Sequence, residues 1–272
     1  MPSKDLPAPE VGRIVRQSPW DVNRRVLGAL IIRELLTRYG RNNIGFLWLF
    51  VEPILITGVI AFLWHATRAV HGSDIPIVAF AVTGYSSVLM WRGLPSRCID
   101  ALKSNMPLLF HRPVTVMDIY FARISLEAMA ATTSMVVVSM LFYSLGWLEL
   151  PEDVLQVLGG WAMLAWFGAG LALIIGGISE KADVVGKLWT PISFMLMPVS
   201  GFAFVVDALP HGLQRIALWL PMLNALEYIR DGWFGSTFHA RYDMQYLLVC
   251  NLLTFFVGLS LARQVGLMAG EE

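Results

Sequence analysis

Six long apolar segments divide the chain, and each approaches the roughly 20 residues that a membrane-spanning helix requires. They cover residues 44–67, 75–91, 116–145, 154–178, 188–206 and 244–262. The third segment is longer than one span needs, so we expect its first two turns to project from the bilayer. The pattern predicts an all-α integral membrane protein with six transmembrane helices.

The stretch before the first span has a different character. Residues 1–19 are polar and contain four prolines, and we interpret them as a flexible cytoplasmic N-terminus. From Trp20 to Tyr39 apolar residues recur at helical spacing among arginines, which is typical of an amphipathic helix lying in the membrane interface. Residues 20–272 then form a single transmembrane domain that begins with this helix.

The connections between the spans differ in charge, and the difference orients the chain. Eight lysines and arginines precede the first span, the second connection holds four, and the fourth holds Lys181 and Lys187. The first connection has only Arg68, and the third, residues 147–153, has three acids and no base. Positively charged connections stay on the cytoplasmic side, so we predict that both termini are cytoplasmic.

The fifth connection, residues 207–243, is long and partly apolar. Pro210 precedes one short amphipathic piece, and Pro221 separates it from a second. We predict two short re-entrant helices that dip into the outer leaflet before the last span. A seventh crossing is the alternative, but four charges oppose it. They are Arg215, Glu227, Arg230 and Asp231.

Composition agrees with a membrane protein. The chain is 56% hydrophobic and 15% charged, whereas soluble domains are about 45–50% apolar and about 25% charged. The net charge is zero, so the total charge gives no information about partners. Cys98 and Cys250 fall in different helical environments, and we predict no disulfide between them.

The first span begins with an unusual stretch, in which a basic, polar elbow leads directly into an apolar run. The residues that mark this change are Arg38, Tyr39, Arg41, Phe46 and Trp48. Glu52 follows inside the span, where a carboxylate is costly unless it faces protein or water. Glu52 is therefore a candidate channel residue, and the alternative is that it satisfies a neighbouring helix.

Aromatic residues are abundant, with ten Trp, fifteen Phe and seven Tyr. Tyr85, Trp91 and Trp189 lie near span ends, as Phe46 and Trp48 do. Aromatic faces suit the apolar faces of sugar rings, so these residues and the elbow are candidate polymer-contacting positions. For any one of them, a place in the core or in the interfacial aromatic belt is the favoured alternative.

The second connection carries apolar residues on a cytoplasmic loop between Ala101 and Pro113. An apolar patch of this kind marks a docking surface, unless it folds back onto the protein's own membrane face. The candidate docking residues are Asn105, Met106, Leu108, Leu109, Phe110, His111 and Arg112.

The third span carries one charge couplet. Arg123 and Glu127 are spaced i, i+4 on the same face, and we predict a structural ion pair between them. A contact with a polymer would require that this face lines a pore.

Several chemical motifs are absent from the sequence. Without G-x-x-x-x-G-K-[ST] the chain is not expected to hydrolyse ATP itself, and without H-E-x-x-H or a Cys/His cluster no metal site is predicted. No G-x-S-x-G is present either. In a polytopic membrane enzyme acting on a lipid-linked sugar, the catalytic acid or base would have to be Glu52, Asp118 or Glu127.

Three stretches carry a family resemblance. They are Arg38–Pro53, the loop of residues 105–114 with Asp118, Arg123 and Glu127 after it, and Pro221–Arg230 before the last span. These stretches resemble the membrane (permease) subunit of ABC-2 type capsular polysaccharide exporters, over nearly the whole chain from about Trp20. The alternatives are an O-antigen or teichoic acid exporter permease, a drug-exporting permease, and a membrane enzyme acting on a lipid-linked sugar.

The resemblance implies an ABC-2 transporter fold and an export function. The chain would move lipid-linked, often acidic, capsular polysaccharide from the cytoplasm across the bacterial inner membrane. It would work as a homodimer with two copies of an ABC ATPase, which binds the ATP and Mg²⁺, so this chain itself holds no cofactor.

Other parts of the chain also receive roles from the resemblance. Residues 20–39 would be the interface helix, and residues 101–112 the coupling helix that contacts the ATPase. Periplasmic co-polymerase and outer-membrane export proteins would continue the route, and no nucleic acid is involved.

Overall fold

A computed structural model describes residues 19–39, 43–67, 75–109 and 114–269. The described residues form helices and connections, with no strand among them. The helices are α1 (Pro19–Tyr39), α2 (Asn43–Thr67), α3 (Ile77–Cys98), α4 (Met106–Leu109), α5 (Val116–Ser144), α6 (Val154–Lys181), α7 (Asp183–Met197), α8 (His211–Ala217), α9 (Pro221–Phe234) and α10 (Met244–Ala269). Each of the six predicted spans overlaps one of these helices.

Four helices in the described part of the chain are long and apolar enough to cross a membrane. They are α3, α5, α6 and α10. The described apolar stretch of α2, Leu47–Leu63, is shorter, and α7 has 15 residues. The architecture is therefore an all-helical membrane domain, and the count of six spans stays a prediction.

Helix α3 lies at the centre of the domain, in contact with α2, α5, α6, α7 and α9. Between Ala79 and Val88 every residue of α3 is buried. Helix α6 approaches its neighbours closely because it carries glycines where a side chain would collide. A Cβ on Gly176 would lie 2.8 Å from the Tyr120 ring, so Gly176 allows α6 to pack tightly on α5, as small residues do between membrane helices.

The end of α7 is tied to α9 by a buried arginine. After α7 the chain makes one π-helical turn, Pro198–Phe202, in which Gly201 has φ 83°. Arg230 is fully buried and donates to the carbonyl oxygens of Gly201 at 2.8 Å and of Phe204 at 3.1 Å. The guanidinium thereby satisfies carbonyl groups that the interrupted helix leaves without partners.

The connection after α7 contains the two short helices α8 and α9, separated by Leu218–Leu220 and with Pro221 at the first position of α9. This proline fits because its missing N–H is not needed there. Both Glu227 and Arg230 on α9 are completely buried. These two charges of α9 therefore face the protein, and the position of α8 and α9 relative to the membrane stays a prediction.

Helix α1 packs along α5. Leu30 is buried there, whereas Ile32, Leu35 and Leu36 are exposed. Apolar side chains thus lie on more than one face of α1, and its place in the membrane interface stays a prediction. Residues 1–18 lie outside the described residues, so the predicted flexible N-terminus is not addressed by the structure.

Candidate functional site

Two charge couplets face each other where α1 runs beside α5. On α1, Glu34 precedes Arg38 by four residues, and on α5, Arg123 precedes Glu127 by four residues. Arg123 Nε lies 3.2 Å from Glu34 Oε1, and Arg38 Nη1 pairs with Glu127 Oε2. Because the couplets have opposite charge order, two ion pairs form in register between the two helices.

The predicted pairing of Arg123 with Glu127 requires a correction. Glu127 also receives a hydrogen bond from Arg97 Nε of α3 at 3.1 Å, and Arg123 donates to the backbone oxygen of Arg97 and to Ser104 Oγ, each at 2.8 Å. Both residues therefore form ion pairs with other helices. An exposed single helix would favour the i, i+4 pair, but here α1 supplies a closer partner for each charge.

A cavity of about 330 Å³ opens beside this ion-pair cluster. It lies between α2, α3 and α5, next to the end of α1. Its polar and aromatic lining residues are Arg38, Trp48, Glu52, Arg97, Glu127 and Ser134. Two arginines and two glutamates balance each other, so the charged residues of the cavity wall have no net charge.

The structure gives Glu52 a partner. The hydroxyl group of Tyr85 on α3 donates to Glu52 Oε1 over 2.9 Å. Tyr85 is itself buried and meets the ring of Phe202 edge to face at 6.3 Å. Glu52 therefore faces protein and cavity, as the cost of a carboxylate in hydrocarbon requires.

The candidate aromatic residues fall into two groups. Trp48 is 56% exposed and lines the cavity. Trp91 is only 1% exposed, and Trp189 is also buried, with its Nε1 donating to Ser96 Oγ at 3.0 Å. In the described chain Trp91 and Trp189 thus belong to the core, which is the alternative that the sequence favoured for individual aromatic residues.

Several candidate residues are not addressed by the structure. Arg41, Phe110, His111 and Arg112 lie outside the described residues, and the side chains of Tyr39, Phe46 and Leu108 are not described. Their roles stay predictions.

The loop after α3 is fixed to three other helices. Arg33 of α1 donates to Asn105 Oδ1 at 2.7 Å, and Asn105 is buried. The backbone N–H of Leu102 donates to Glu180 of α6 at 3.0 Å, and Lys103 pairs with Asp183 of α7. A movement of this loop would therefore be transmitted to α1, α6 and α7.

The Lys103–Asp183 pair lies on the surface of the loop. The hydrogen bond from Lys103 holds the pKa of Asp183 below its usual value, and the same bond raises the pKa of Lys103. Both groups are charged near neutral pH, so the contact persists there.

Met106, which follows on the loop, is 46% exposed and presents an apolar side chain to the surroundings.

Asp118 has a structural role at the start of α5. Its carboxylate accepts from the backbone N–H of Thr115 at 2.9 Å, while Thr115 Oγ1 accepts from the backbone N–H of Asp118 at 3.3 Å. This reciprocal arrangement is a capping box, which satisfies N–H groups at the helix start. Asp118 is thereby engaged as a cap, and so is a poor candidate for a catalytic acid or base.

Sequence reasoning missed Glu34, Arg33 and Arg97 as members of the cluster. A signal for Glu34 was present, because Glu34 and Arg38 form a couplet with the charge order opposite to that of Arg123 and Glu127. Matching such couplets between helices would have found the two ion pairs. Nothing in the sequence indicated that Arg33 reaches Asn105, since 72 residues separate them.

An all-helical membrane domain with a polar cavity beside α2 and a loop fixed to three helices is consistent with a transporter subunit. The model of the ABC-2 type transporter family matches residues 25–234, and the chain belongs to this family. It is therefore a membrane subunit of a transporter and not an enzyme acting on a lipid-linked sugar.

Several characterised relatives align over most of the chain. The capsule polysaccharide export inner-membrane protein CtrC of Neisseria meningitidis serogroup B is 43% identical over 243 residues, which cover 89% of this chain and 92% of CtrC. The capsule polysaccharide export inner-membrane protein BexB of Haemophilus influenzae is 41% identical over 242 residues, covering 89% and 91%. The polysialic acid transport protein KpsM of Escherichia coli is 24% identical over 251 residues, covering 91% and 96%.

Proposed function

We propose that this chain is the transmembrane subunit of an ABC exporter that carries capsular polysaccharide across the bacterial inner membrane. The observation that carries this proposal is the similarity of more than 40% identity, over about nine tenths of both chains, to CtrC and BexB. Energy comes from a separate ATPase subunit, and the substrate is a lipid-linked polysaccharide.

A gene deletion tests this function. In a cell that makes a capsule and carries this gene, deletion should leave polysaccharide inside the cell, and the wild-type gene should restore it to the surface. An ATPase subunit whose P-loop lysine is replaced should block export while this chain stays inserted. Surface polysaccharide that is unchanged in the deletion strain would contradict the proposal.

The proposed architecture has six spans, with both termini in the cytoplasm. Support comes from the charges of the connections and from the helices that occupy every predicted span. The short helices α8 and α9 then lie at the outer face, as re-entrant elements before α10.

A polymer needs a continuous path that a protomer of this size does not enclose, so we propose a homodimer with the path at its interface.

The loop after α3 is proposed as the contact for the ATPase. The support is mechanical: the loop is fixed to α1 through Asn105, to α6 through Leu102 and to α7 through Lys103. A push on the loop would therefore move three helices together. Helix α1 acts as the interface helix that transmits part of this movement to the cavity through Arg38 and Glu127.

The cavity beside Trp48 is proposed as the cytoplasmic entrance for the polymer. An exposed aromatic ring offers a stacking surface for a sugar, and glutamate and arginine side chains offer acceptors and donors for hydroxyl groups. The balanced charges mean that Arg38 does not attract an acidic polymer as an isolated cation, because Glu127 neutralises it. Beyond the cavity, the path would continue to periplasmic and outer-membrane export proteins.

A further inference from the structure

Helix α3 has one open stripe on an otherwise buried surface. From Ala79 to Cys98 the residues that are not buried are Leu89, Arg92, Gly93, Ser96 and Arg97. Their spacing of i, i+3, i+4, i+7 and i+8 places them on a single face of the helix. Three of the five are polar or charged, so the central helix of this apolar domain presents a polar stripe.

Neighbouring helices flank this stripe on both sides. Towards α2 and α5, Leu89 and Arg97 line the cavity described above. Towards α7, Arg92 Nε donates to Ser193 Oγ at 3.1 Å, and Ser96 Oγ accepts from Trp189 at 3.0 Å. The stripe therefore continues from the cavity wall towards α7.

Arg92 differs from the other arginines that lie at this level of the domain. Arg97 and Arg38 pair with Glu127, and Arg123 pairs with Glu34. In the described part of the chain no carboxylate lies within ion-pairing distance of Arg92. Its partners are the hydroxyl group of Ser193 and the ring of Phe194, whose centroid lies 3.7 Å from the Arg92 Cζ.

A half-buried guanidinium without a counter-ion is costly within a membrane domain, and such groups face the protein interior or a water-filled path. The Phe194 ring holds the planar cation on its face and is itself 53% exposed. One hydroxyl acceptor uses only part of the five N–H donors of an arginine. The remaining donors are available to an anionic oxygen group that reaches the stripe.

We propose that Arg92, held by Phe194 and Ser193, binds the carboxylate groups of the exported polymer as they pass along α3. This inference rests on the proposed export function and identifies a contact within that path. Arg92 lies six residues before the end of α3, so it is about 9 Å along the helix from Cys98. On α3, Arg92 lies between Leu89 and Arg97, so an anionic polymer would meet it at the level of the charge-balanced cavity.

The test uses the chain in complex with its ATPase, in nanodiscs of phosphatidylcholine. A sialic acid oligomer serves as the polycarboxylate probe, and dextran is the uncharged control. For Arg92→Gln, the oligomer concentration that gives half-maximal stimulation of ATP hydrolysis should rise about tenfold, as expected for one lost charge-assisted contact. The maximal rate should stay at the wild-type value.

Companion variants separate the roles of charge and ring. Arg92→Lys keeps the charge and should stay within about threefold of wild type, and Phe194→Leu should give an intermediate shift. Arg263→Gln removes an exposed arginine of α10 and should change nothing.

Three results would overturn the inference. A lower maximal rate with unchanged half-saturation would make Arg92 a structural residue only. An effect that appears only when phosphatidylglycerol is present would assign Arg92 to lipid headgroups. No stimulation of the wild type by the oligomer would exclude a polycarboxylate site, whereas the proposed export function is tested separately by gene deletion.

Discussion

Arg123 of α5 lies 3.2 Å from Glu34 of α1, and one helical turn further along both helices the charges are exchanged in Arg38 and Glu127. Both side chains of the first pair are largely buried, at 14% and 27% exposure. Partly buried pairs are screened less by salt than exposed ones. The register between α1 and α5 is therefore specified by charge order as well as by apolar contact.

Exchanging the two charges tests this register. Glu34→Arg and Arg123→Glu alone each place like charges together, and we expect each to lower the melting temperature of the purified protein by about 2–4 °C, which corresponds to about 1 kcal/mol. The double exchange should recover part of the loss, since Arg123 also donates to Ser104. Arg215→Glu on the exposed side of α8 is the control. Strictly additive losses in the double variant would show that the pair is not coupled.

The hydrogen bond between Tyr85 and Glu52 gives a second prediction. Tyr85→Phe removes the hydroxyl donor from a carboxylate inside the domain, and a lost bond to a charged group costs about 1.5–3 kcal/mol. We therefore expect less folded protein in the membrane and a lower melting temperature. Tyr85→Phe combined with Glu52→Gln removes the charge as well and should be more stable than Tyr85→Phe alone. A single variant as stable as wild type would mean that water satisfies Glu52.

The orientation of the chain is tested by cysteine labelling in intact cells. Cys98 is fully buried, so it is not expected to react with the labelling reagent. Cys250 is replaced by Ser, and new cysteines replace Glu149 and Lys103 in separate variants. A membrane-impermeant thiol reagent should label the residue 149 cysteine and reach the residue 103 cysteine only after cells are opened. The reverse order would invert the predicted topology and the direction of export.

Much of the fold could be predicted from the lengths of the apolar segments, because each of them overlaps a helix in the described part of the chain. The site was predicted less completely. Glu52 was expected to face protein or water, because the cost of a charge in lipid does not depend on the neighbours, and it contacts Tyr85 beside the cavity. The partner of Arg123 was predicted wrongly, because sequence spacing describes one helix and the competing partner belongs to another. The positions of Trp91 and Trp189 near span ends did not reveal that their side chains are buried in the core.

Docking of the ATPase on the loop after α3 is tested by two substitutions with different expected effects. Met106 is exposed, so Met106→Asp should leave insertion and melting temperature unchanged but reduce co-purification of the ATPase. Asn105 is buried and accepts from Arg33, so Asn105→Ala should weaken the link to α1. We expect the ATPase to remain bound to that variant while hydrolysis and export become uncoupled. Normal coupling in both variants would place the docking surface elsewhere.

The cavity at the start of α2 gives a further prediction. If Trp48 stacks on the polymer, Trp48→Ala should reduce export per inserted molecule several-fold, about the 0.5–1.5 kcal/mol that an aromatic contact contributes. Trp48→Phe keeps a ring face and should retain most of the export. Loss of protein from the membrane, with normal export by each remaining molecule, would identify Trp48 as an interfacial anchor instead.

Charge variants in the same cavity distinguish a direct contact of Arg38 with the polymer from a structural role of Arg38. Arg38→Glu places two acids together and should reduce both stability and export. The exchange of Arg38→Glu with Glu127→Arg keeps the ion pair and the net charge of the wall, although Arg97 then faces an arginine. If Arg38 serves to hold α1 against α5, this exchange should restore part of the lost export. If Arg38 contacts the polymer directly, export should stay low even though the melting temperature recovers, because the cation has moved from the end of α1 to α5. Export per inserted molecule and melting temperature, measured on the same samples, therefore decide between the two roles.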